Sequence, residues 1–230
     1  MSGRRCPRDA PTRVFAHLLN RPNGAVYLFT GTGRQYPLMP PPAASLSGVK
    51  SGEARPEELV VLLDEGGQPC GTAQKATVHH ESTPLHLAFS CWLFDPAHQR
   101  VLLTRRAAGK RTWPLVWTNS LCGHPGPGEA VDDAVRRRAA DELGVDLGEL
   151  SVALPDFRYT ARMDNGVTEN EVCPVFTATL EGDPQPEPTE VDSFAWVSWS
   201  ELSSSVAGDP DRYSPWMRLQ LPLLAAQRGG

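Results

Sequence analysis

The feature that most constrains the fold is a short glycine-rich loop that leads directly into an amphipathic helix. After the Gly-Pro-Gly turn at 126–128, apolar residues recur at every fourth position, which places them on one face of a helix. Gly144 then stands where such a helix is expected to end. The apolar positions are Val131, Val135, Ala139 and Leu143.

Side chains capable of chemistry lie immediately before this helix. Cys122 and His124 are two positions apart, so their side chains share one face if the segment is extended. Gly123 between them allows the backbone to approach a ligand closely. With Glu129 and Glu142 following, the sequence predicts a thiol, an imidazole and a metal-binding carboxylate around one phosphate-sized site.

The rest of the chain predicts a mixed architecture. Apolar runs predict strands at residues 59–63, 85–94, 101–104, 156–162, 172–180 and 194–197. An Asp-Asn-Gly turn at 164–166 predicts that the strands at 156–162 and 172–180 form a pair. The stretch from Pro215 to Leu224 predicts a helix that Pro222 interrupts. Without regular βαβ spacing, this pattern predicts an α/β (α+β) fold, with a central mixed sheet packed between helices.

Length and composition suit one domain with an extension. Residues 1–56 contain many prolines and glycines and little periodicity, which predicts a disordered extension with at most a weak strand at 26–29. A domain at 57–226 follows. The net charge of −5 favours neither nucleic acid nor a membrane as partner, and no apolar run approaches the roughly 20 residues that span a bilayer. Five cysteines without a CxxC pair argue against a disulfide framework and favour a cytoplasmic location.

Each cluster of candidate residues has an ordinary explanation when taken alone. A lone histidine is usually structural, and a lone cysteine usually behaves as a small apolar residue. Basic residues normally serve solubility. Two carboxylates on one face of a strand repel each other unless a cation or a proton lies between them, although a solvated acidic turn is the simpler interpretation. The clusters are His79, His80 and His86; Glu169 and Glu171; Cys122 and His124; and Lys75, Arg105, Arg106 and Lys110.

Taken together, the motifs resemble a known enzyme family. The spacing from Gly123 to Val145 resembles a Nudix box, the loop-helix-loop that holds Mg²⁺ against a diphosphate, with Arg138 and Asp141 in place of two glutamates of the usual pattern. From about residue 58 to 216, the chain resembles the type I isopentenyl-diphosphate isomerases, which have the Nudix fold. The matching segments are LHLAFS (85–90), TRRA (104–107), WPLVWTNSLCGHP (113–125), DFRY (156–159), ENEVCPVF (169–176) and SPWM (214–217).

The resemblance implies two metal sites. One divalent ion, either Zn²⁺, Mn²⁺ or Mg²⁺, would be held by imidazoles and carboxylates, and the spacing of the ligands does not choose among the three metals. A second ion, Mg²⁺, would meet the substrate diphosphate near Glu142 and the backbone of Cys122. The implied ligands of the first ion are His79, His86, His124, Glu169 and Glu171.

The resemblance also implies residues for the substrate and for the reaction. Moving a double bond through a tertiary carbocation requires an acid and a base on opposite faces and the exclusion of water. The implied diphosphate-binding residues are Lys75, Arg106, Lys110 and Arg138. The implied catalytic residues are Glu171 with Tyr159 beside it, Cys122 with a pKa lowered by nearby cations, and Trp216, whose ring face favours a cation by roughly 0.5–2 kcal/mol.

Isopentenyl-diphosphate delta-isomerase, interconverting isopentenyl and dimethylallyl diphosphate, is the favoured hypothesis. A Nudix pyrophosphohydrolase is one alternative, but it needs glutamates that activate water, and Arg138 and Asp141 depart from that pattern. A non-catalytic diphosphate-binding Nudix module is the other, but it has no need for both Cys122 and Glu171. The expected partner is a small isoprenoid diphosphate, and the expected assembly is a monomer or a weak dimer.

Overall fold

The structure, a computed structural model, describes residues 58–228 and the backbone of three short strands nearer the N terminus. These strands are β1 (Leu19–Asn20), β2 (Val26–Phe29) and β3 (Gln35–Tyr36), and β2 pairs antiparallel with both of the others. A strand at 26–29 agrees with the sequence. The remainder of residues 1–57 lies outside the described residues, so a disordered extension stays a prediction.

A first sheet, here named the outer sheet, contains five strands. They are β4 (Leu59–Leu63), β5 (Pro69–Gln74), β6 (His86–Leu87), β12 (Arg158–Arg162) and β13 (Thr168–Val172). Their order is β12-β13-β6-β4-β5. The β13–β6 pair is parallel and the other pairs are antiparallel, so this sheet is mixed.

A second sheet, here named the central sheet, contains seven strands. They are β7 (Phe89–Phe94), β8 (Arg100–Arg106), β9 (Trp117–Thr118), β10 (Leu121–Gly123), β11 (Ser151–Leu154), β14 (Val175–Thr179) and β15 (Val191–Ser198). The main path is β11-β14-β7-β8-β15, with β10 paired to β7 and β9 paired to β8. Only the β14–β7 pair among these is parallel.

Helices cover both faces of the central sheet. The alternation of β7 explains this arrangement: Phe89 and Leu93 pack in the cluster that contains α2, whereas Trp92 packs in the cluster that contains α3 and α4. The predicted mixed sheet between helices is therefore confirmed. The helices are α1 (Lys75–Val78), α2 (Val131–Leu143), α3 (Trp199–Gly208) and α4 (Pro215–Arg228).

Two strand predictions were wrong because the chain passes from one sheet to the other within each of these two runs. The run at 85–94 divides at Ala88 into β6 and β7, and the run at 172–180 divides at 173–174 between β13 and β14. The turn at 164–166 therefore joins β12 to β13. The two passages run side by side, with the Ala88 amide donating to the Val172 carbonyl at 2.9 Å. Hydrophobic periodicity did not reveal them because the chain stays largely buried as it changes sheets.

The helical predictions differ in outcome. Helix α2 ends as expected, with Gly144 in the left-handed conformation at φ 64° and its amide donating to the Ala140 carbonyl at 3.1 Å. Helix α4, however, continues through Pro222 to Arg228. The proline removes one helical hydrogen bond. Burial of α4 side chains such as Met217 and Leu221 against the central sheet stabilises the helix across that position.

The cysteines and the helices bear on the expected surroundings of the protein. Cys91, Cys122 and Cys173 are free thiols. Cys70 is disulfide-bonded, so the argument against disulfides that was drawn from the cysteine spacing does not hold for that residue. Within residues 58–228, every helix is too short or too polar to cross a bilayer.

Candidate active site

One cavity of about 480 Å³ collects the predicted site residues. Its walls come from both sheets, from helix α2 and from the first turn of α4. Among the residues predicted as ligands, catalytic groups or diphosphate-binding groups, only His86 does not line it, and the His86 side chain is fully buried. The predicted residues that line the cavity are Lys75, His79, Arg106, Lys110, Cys122, His124, Arg138, Glu142, Tyr159, Glu169, Glu171 and Trp216.

Four of the five predicted metal ligands form one group. His79 directly follows α1, His86 lies on β6, His124 follows β10, and Glu171 on β13 stands opposite His86 in the parallel register. One ligand atom from each of these residues lies within 4.8 Å of the ligand atoms of the other three. The passage of the chain from β6 to β7 allows the outer sheet to supply His86 and Glu171 while the central sheet supplies His124.

The hydrogen bonds of this group fit a metal ion. His86 Nδ1 lies 2.9 Å from the Pro84 carbonyl, which can only accept, so this nitrogen carries the hydrogen. The lone pair of neutral His86 Nε2 then faces Glu171 Oε1 at 3.4 Å, and a positive charge is needed between them. His79 Nε2, His86 Nε2 and His124 Nδ1 are buried without a hydrogen-bond partner among the described residues. A proton would serve one such contact, whereas an ion would serve four converging ligands, and the outward hydrogen bond of His86 is typical of a metal-bound histidine.

Glu169, the fifth predicted ligand, lies outside the group of four and is linked to it by Tyr159. The Tyr159 hydroxyl lies 2.7 Å from Glu169 Oε2 and 2.8 Å from Glu171 Oε2. Burial alone would raise the pKa of Glu171, but contacts with the three histidines hold it well below its usual range. Burial, together with the charge of Glu171, raises the pKa of Glu169. The phenol has one hydrogen, so a protonated Glu169 and an ionised Glu171 satisfy both contacts.

Cys122 lies on β10 directly opposite Ser90 of β7. Its Sγ lies 3.2 Å from Asn119 Oδ1 and 3.4 Å from Ser90 Oγ. Burial raises the pKa of Cys122 to about 12, although Arg106 acts in the opposite direction. The expectation that nearby cations lower this pKa was therefore wrong for the protein in this state, because desolvation of the thiolate outweighs their attraction.

Trp216 forms an aromatic wall of the cavity at the start of α4. Its ring centroid lies 5.9 Å from that of Tyr159 and 5.5 Å from that of Trp113, and its indole Nε1 donates to Asn119 Oδ1 at 3.0 Å. The guanidinium carbon of Arg106 lies 5.4 Å from the Trp216 ring centroid. The ring therefore already contacts one cation in the protein itself, at a distance typical of a cation–π interaction.

Most of the predicted diphosphate-binding cations are paired with carboxylates. Lys75 Nζ donates to Glu58 Oε2 at 2.6 Å, and Lys110 donates to Glu190. Arg138 Nε donates to Glu142 Oε1 at 2.8 Å, and its Nη2 to Glu190 Oε2 at 3.1 Å. Within residues 58–228, Arg106 is the predicted diphosphate-binding residue without an ion pair, and it donates instead to Thr112.

Sequence reasoning missed the acidic and polar residues that support the site. Glu58 and Glu190 line the cavity but stand in stretches without a recognisable pattern, so no signal in one sequence marks them. Asn119 and Ser90 lie inside the matching segments 113–125 and 85–90, and that position was the available signal. Both are fully buried hydrogen-bonding side chains at the thiol.

The Nudix-like loop and helix serve packing as much as ligand binding. A Cβ at Gly123 would lie 2.9 Å from both Arg138 Cγ and Phe89 Cζ, so the glycine permits the close approach of helix α2. Arg137 donates to both oxygens of Glu129, at 2.7 and 2.9 Å. Glu129 Oε2 also accepts from the Gly126 amide at 2.7 Å, which fixes the loop before the helix. Glu129, the first glutamate of the Nudix-like pattern, therefore has a structural role in this loop.

The fold has counterparts among solved structures. A crystal structure from Deinococcus radiodurans superimposes with a TM-score of 0.52 and 20% identity, over 66% of this chain and 90% of that one. The MutT protein from Methanosarcina mazei Go1 gives a TM-score of 0.51 with 16% identity, over 64% of this chain and 97% of that one. At these identities the likeness supports the fold alone.

Sequence relatives agree with the geometry of the site. Residues 84–220 match the NUDIX domain model. The isopentenyl-diphosphate Delta-isomerase of Leifsonia xyli subsp. xyli is 57% identical over 176 residues, covering 76% of this chain and 95% of that protein. The protein of the same name from Mycolicibacterium vanbaalenii is 56% identical over 169 residues, covering 74% of this chain and 92% of that protein. The chain therefore belongs to the Nudix family and, within it, to the isopentenyl-diphosphate Delta-isomerases.

Proposed function

We propose that this protein catalyses the interconversion of isopentenyl diphosphate and dimethylallyl diphosphate. The observation that carries the proposal is the convergence of two proton-transfer groups in one cavity: Cys122 on the central sheet, and Glu171 with Tyr159 on the outer sheet. A binding module has no use for both groups. Membership of the isomerase family supports the same assignment.

The reaction adds a proton to the terminal carbon of the double bond and removes one from the methylene on the other side of the tertiary carbon, so the substrate neither gains nor loses atoms overall. Glu171 and Tyr159 would handle one proton and the Cys122 thiol the other. Trp216 and Tyr159 pack against each other at 5.9 Å in the same cavity, where they would exclude water from a tertiary carbocation. Cation–π stabilisation is worth about 2 kcal/mol at most, so positioned proton transfer has to supply most of the acceleration.

A divalent ion belongs to this proposal. His79, His86, His124 and Glu171 would hold it, and it would supply the positive charge that their buried nitrogens and the carboxylate require. Zn²⁺, Mn²⁺ and Mg²⁺ all suit imidazole and carboxylate ligands to different degrees. Glu169 as a further ligand, and Mg²⁺ held with the substrate diphosphate beside Glu142, are parts of the same proposal.

The diphosphate would bind on the cationic wall formed by Lys75, Arg106, Lys110 and Arg138. Because Glu58, Glu142 and Glu190 already engage three of these cations, substrate binding involves an exchange of carboxylate contacts for phosphate contacts. A bound Mg²⁺ would offset the repulsion between these carboxylates and the incoming diphosphate.

A turnover experiment in D₂O tests the function. Protein supplied with Mg²⁺ and with Mn²⁺ or Zn²⁺ is incubated with isopentenyl diphosphate in D₂O, and the products are followed by NMR and by phosphate release. We expect dimethylallyl diphosphate carrying deuterium and no release of phosphate. Phosphate release without isomer would indicate the hydrolase instead, and binding without deuterium incorporation would indicate a binding module.

The surroundings of the enzyme are also part of the proposal. We place it in the cytoplasm as a monomer or a weak dimer that acts on a small isoprenoid diphosphate and not on nucleic acid or membranes. The three free thiols among residues 58–228 and the net charge of −5 support this placement, and the disulfide at Cys70 counts against it. Fractionation and light scattering at several protein concentrations would test it.

A further inference from the structure

A buried carboxamide connects the thiol and the indole of the cavity. The Asn119 side chain is fully buried between β9 and β10. Its Oδ1 lies 3.2 Å from Cys122 Sγ, 3.0 Å from Trp216 Nε1 and 2.9 Å from Thr118 Oγ1. One oxygen atom therefore contacts groups from the centre of the site, from helix α4 and from the neighbouring strand.

The orientation of this amide follows from its partners. Asn119 Nδ2 lies 3.0 Å from the Cys91 carbonyl and 2.8 Å from the Leu121 carbonyl, and both of those groups can only accept. At the other end, the Trp216 indole can only donate. Nδ2 must therefore face the two carbonyls and Oδ1 must face the cavity. Because Oδ1 carries no hydrogen, the Cys122 thiol donates its hydrogen to Asn119.

The other side of the thiol is fixed by a second buried network. Ser90 Oγ, 3.4 Å from Cys122 Sγ, accepts from Gln220 Nε2 at 2.9 Å. Gln220 Oε1 in turn accepts from Trp92 Nε1 at 2.8 Å. Ser90 and Gln220 are fully buried, so they cannot exchange these partners for water. The thiol thus lies between two rigid polar groups.

We infer that Asn119 is a positioning residue of the isomerisation, whose Oδ1 holds the Cys122 thiol and the Trp216 indole at a fixed mutual position. The inference rests on the proposed function, in which both groups face the reacting carbons. Misplacement of a reacting group by about 1 Å can lower a rate by roughly 10²-fold. Loss of Oδ1 is therefore expected to affect turnover more than substrate affinity, since none of the cations proposed to bind the diphosphate is a hydrogen-bond partner of Asn119.

The test compares Asn119→Ala with Ser120→Ala. Ser120 is a matched control because it is the next residue, is fully buried, and hydrogen-bonds the Leu93 amide and the Leu102 carbonyl, both at 2.7 Å, without contacting the thiol. For Asn119→Ala we expect kcat to fall by about 10- to 100-fold with KM within about threefold. For Ser120→Ala we expect kcat within about twofold. Equal losses of kcat in the two variants would overturn the inference.

A readout without turnover separates this inference from the proposed function. The rate at which iodoacetamide alkylates Cys122, followed by mass spectrometry, is expected to change severalfold in Asn119→Ala and not in Ser120→Ala. If the unmodified enzyme fails to isomerise substrate, the function is wrong, but alkylation still tests the contact. An unchanged alkylation rate in Asn119→Ala would contradict the positioning role.

A second variant keeps the inference testable if Asn119→Ala does not fold. Asn119→Asp retains an acceptor oxygen toward Cys122 and Trp216 and loses the donors to the Cys91 and Leu121 carbonyls. We expect it to lose stability but to keep kcat within about tenfold of the unmodified enzyme. A folded Asn119→Asp with less than about one-hundredth of the original kcat would show that the acceptor oxygen is not what matters.

Discussion

Two groups of residues at the cavity satisfy their polar atoms in opposite ways. The first, here named the metal end, is His79, His86, His124 and Glu171, and the second, here named the diphosphate end, is Lys75, Arg106, Lys110 and Arg138. At the metal end, His79 Nε2 and His86 Nε2 are buried near a carboxylate without a hydrogen bond. At the diphosphate end, Lys75, Lys110 and Arg138 are each engaged by a carboxylate of the protein. An added cation therefore completes the first end, whereas an added anion must compete with resident anions at the second. Binding at the metal end should stabilise the fold strongly, and binding at the diphosphate end should yield a smaller net gain.

The largest effect is expected at Glu171, which we propose both as a proton-transfer group and as a metal ligand. For Glu171→Gln we expect kcat to fall by roughly 10²–10⁴-fold, the range for loss of a general acid or base. We also expect less bound metal, measured by atomic emission after dialysis. Glu169→Gln is the comparison variant, and we expect it to lose less metal, because Glu169 lies outside the group of four. Equal loss of metal in both variants would show that Glu169 contributes as much to metal binding as Glu171.

Removing and then restoring the metal should test directly whether an ion completes the metal end. Protein stripped with EDTA should gain thermal stability when Mn²⁺ or Zn²⁺ is restored. Binding only to the folded state contributes about 2.7 kcal/mol at an ion concentration 100 times Kd. The gain should be absent in His86→Gln, which removes a fully buried imidazole that we propose as a ligand. A scan that shows the same gain in His86→Gln would place the ion elsewhere.

A smaller effect, in the direction of tighter binding, is expected at Glu190. Glu190→Gln releases Lys110 and Arg138 from a resident carboxylate, so pyrophosphate should bind roughly fivefold more tightly, about 1 kcal/mol, as measured by calorimetry. Asp192→Asn is the control, because Asp192 pairs with Arg105 at 3.2 Å outside the cavity lining. Weaker pyrophosphate binding in Glu190→Gln would mean that the carboxylate orients the cations rather than competing for them.

The smallest effect is expected at Glu129, the Nudix-pattern glutamate that anchors Arg137. Its loss removes a partly exposed bidentate pair, so the free energy of unfolding should fall by about 1 kcal/mol or less. Isomerase turnover by Glu129→Gln should stay within about twofold of the original, since Glu129 does not line the main cavity. A large loss of turnover with an unchanged free energy of unfolding would indicate that Glu129 binds metal, as the corresponding glutamates of Nudix hydrolases do, and is not only structural.

The sequence anticipated the parts of the molecule that have strong local signals. Helix α2 was predictable because its apolar stripe has one period and Gly144 supplies the left-handed residue that ends it. The resemblance implied five metal ligands, and the structure brings four of them together, namely His79, His86, His124 and Glu171, while Glu169 lies outside that group. Their mutual approach depends on pairing between distant strands, which periodicity does not encode.

Other parts depended on contacts that leave no local signal. The division of the run at 85–94 between two sheets went unseen because Leu85, Phe89 and Leu93 are buried on both sides of the crossing. The carboxylates Glu58 and Glu190 face their cations from distant segments, so charge patterning along the chain did not identify them. The prediction of a low pKa for Cys122 was wrong for a related reason, since the desolvation of the thiolate is set by tertiary packing.

The passages of the chain at Ala88 and at 173–174 also limit how the enzyme can open. Two adjacent covalent tethers, joined by the hydrogen bond from Ala88 to Val172, connect the outer sheet to the central sheet. Because the tethers are adjacent, they restrict relative motion of the sheets to bending about the line that joins them. His86 and Glu171 each lie two residues from a tether, and Cys122 pairs with Ser90, two residues beyond Ala88. Bending about this line should therefore change the spacing of the proposed proton-transfer groups very little.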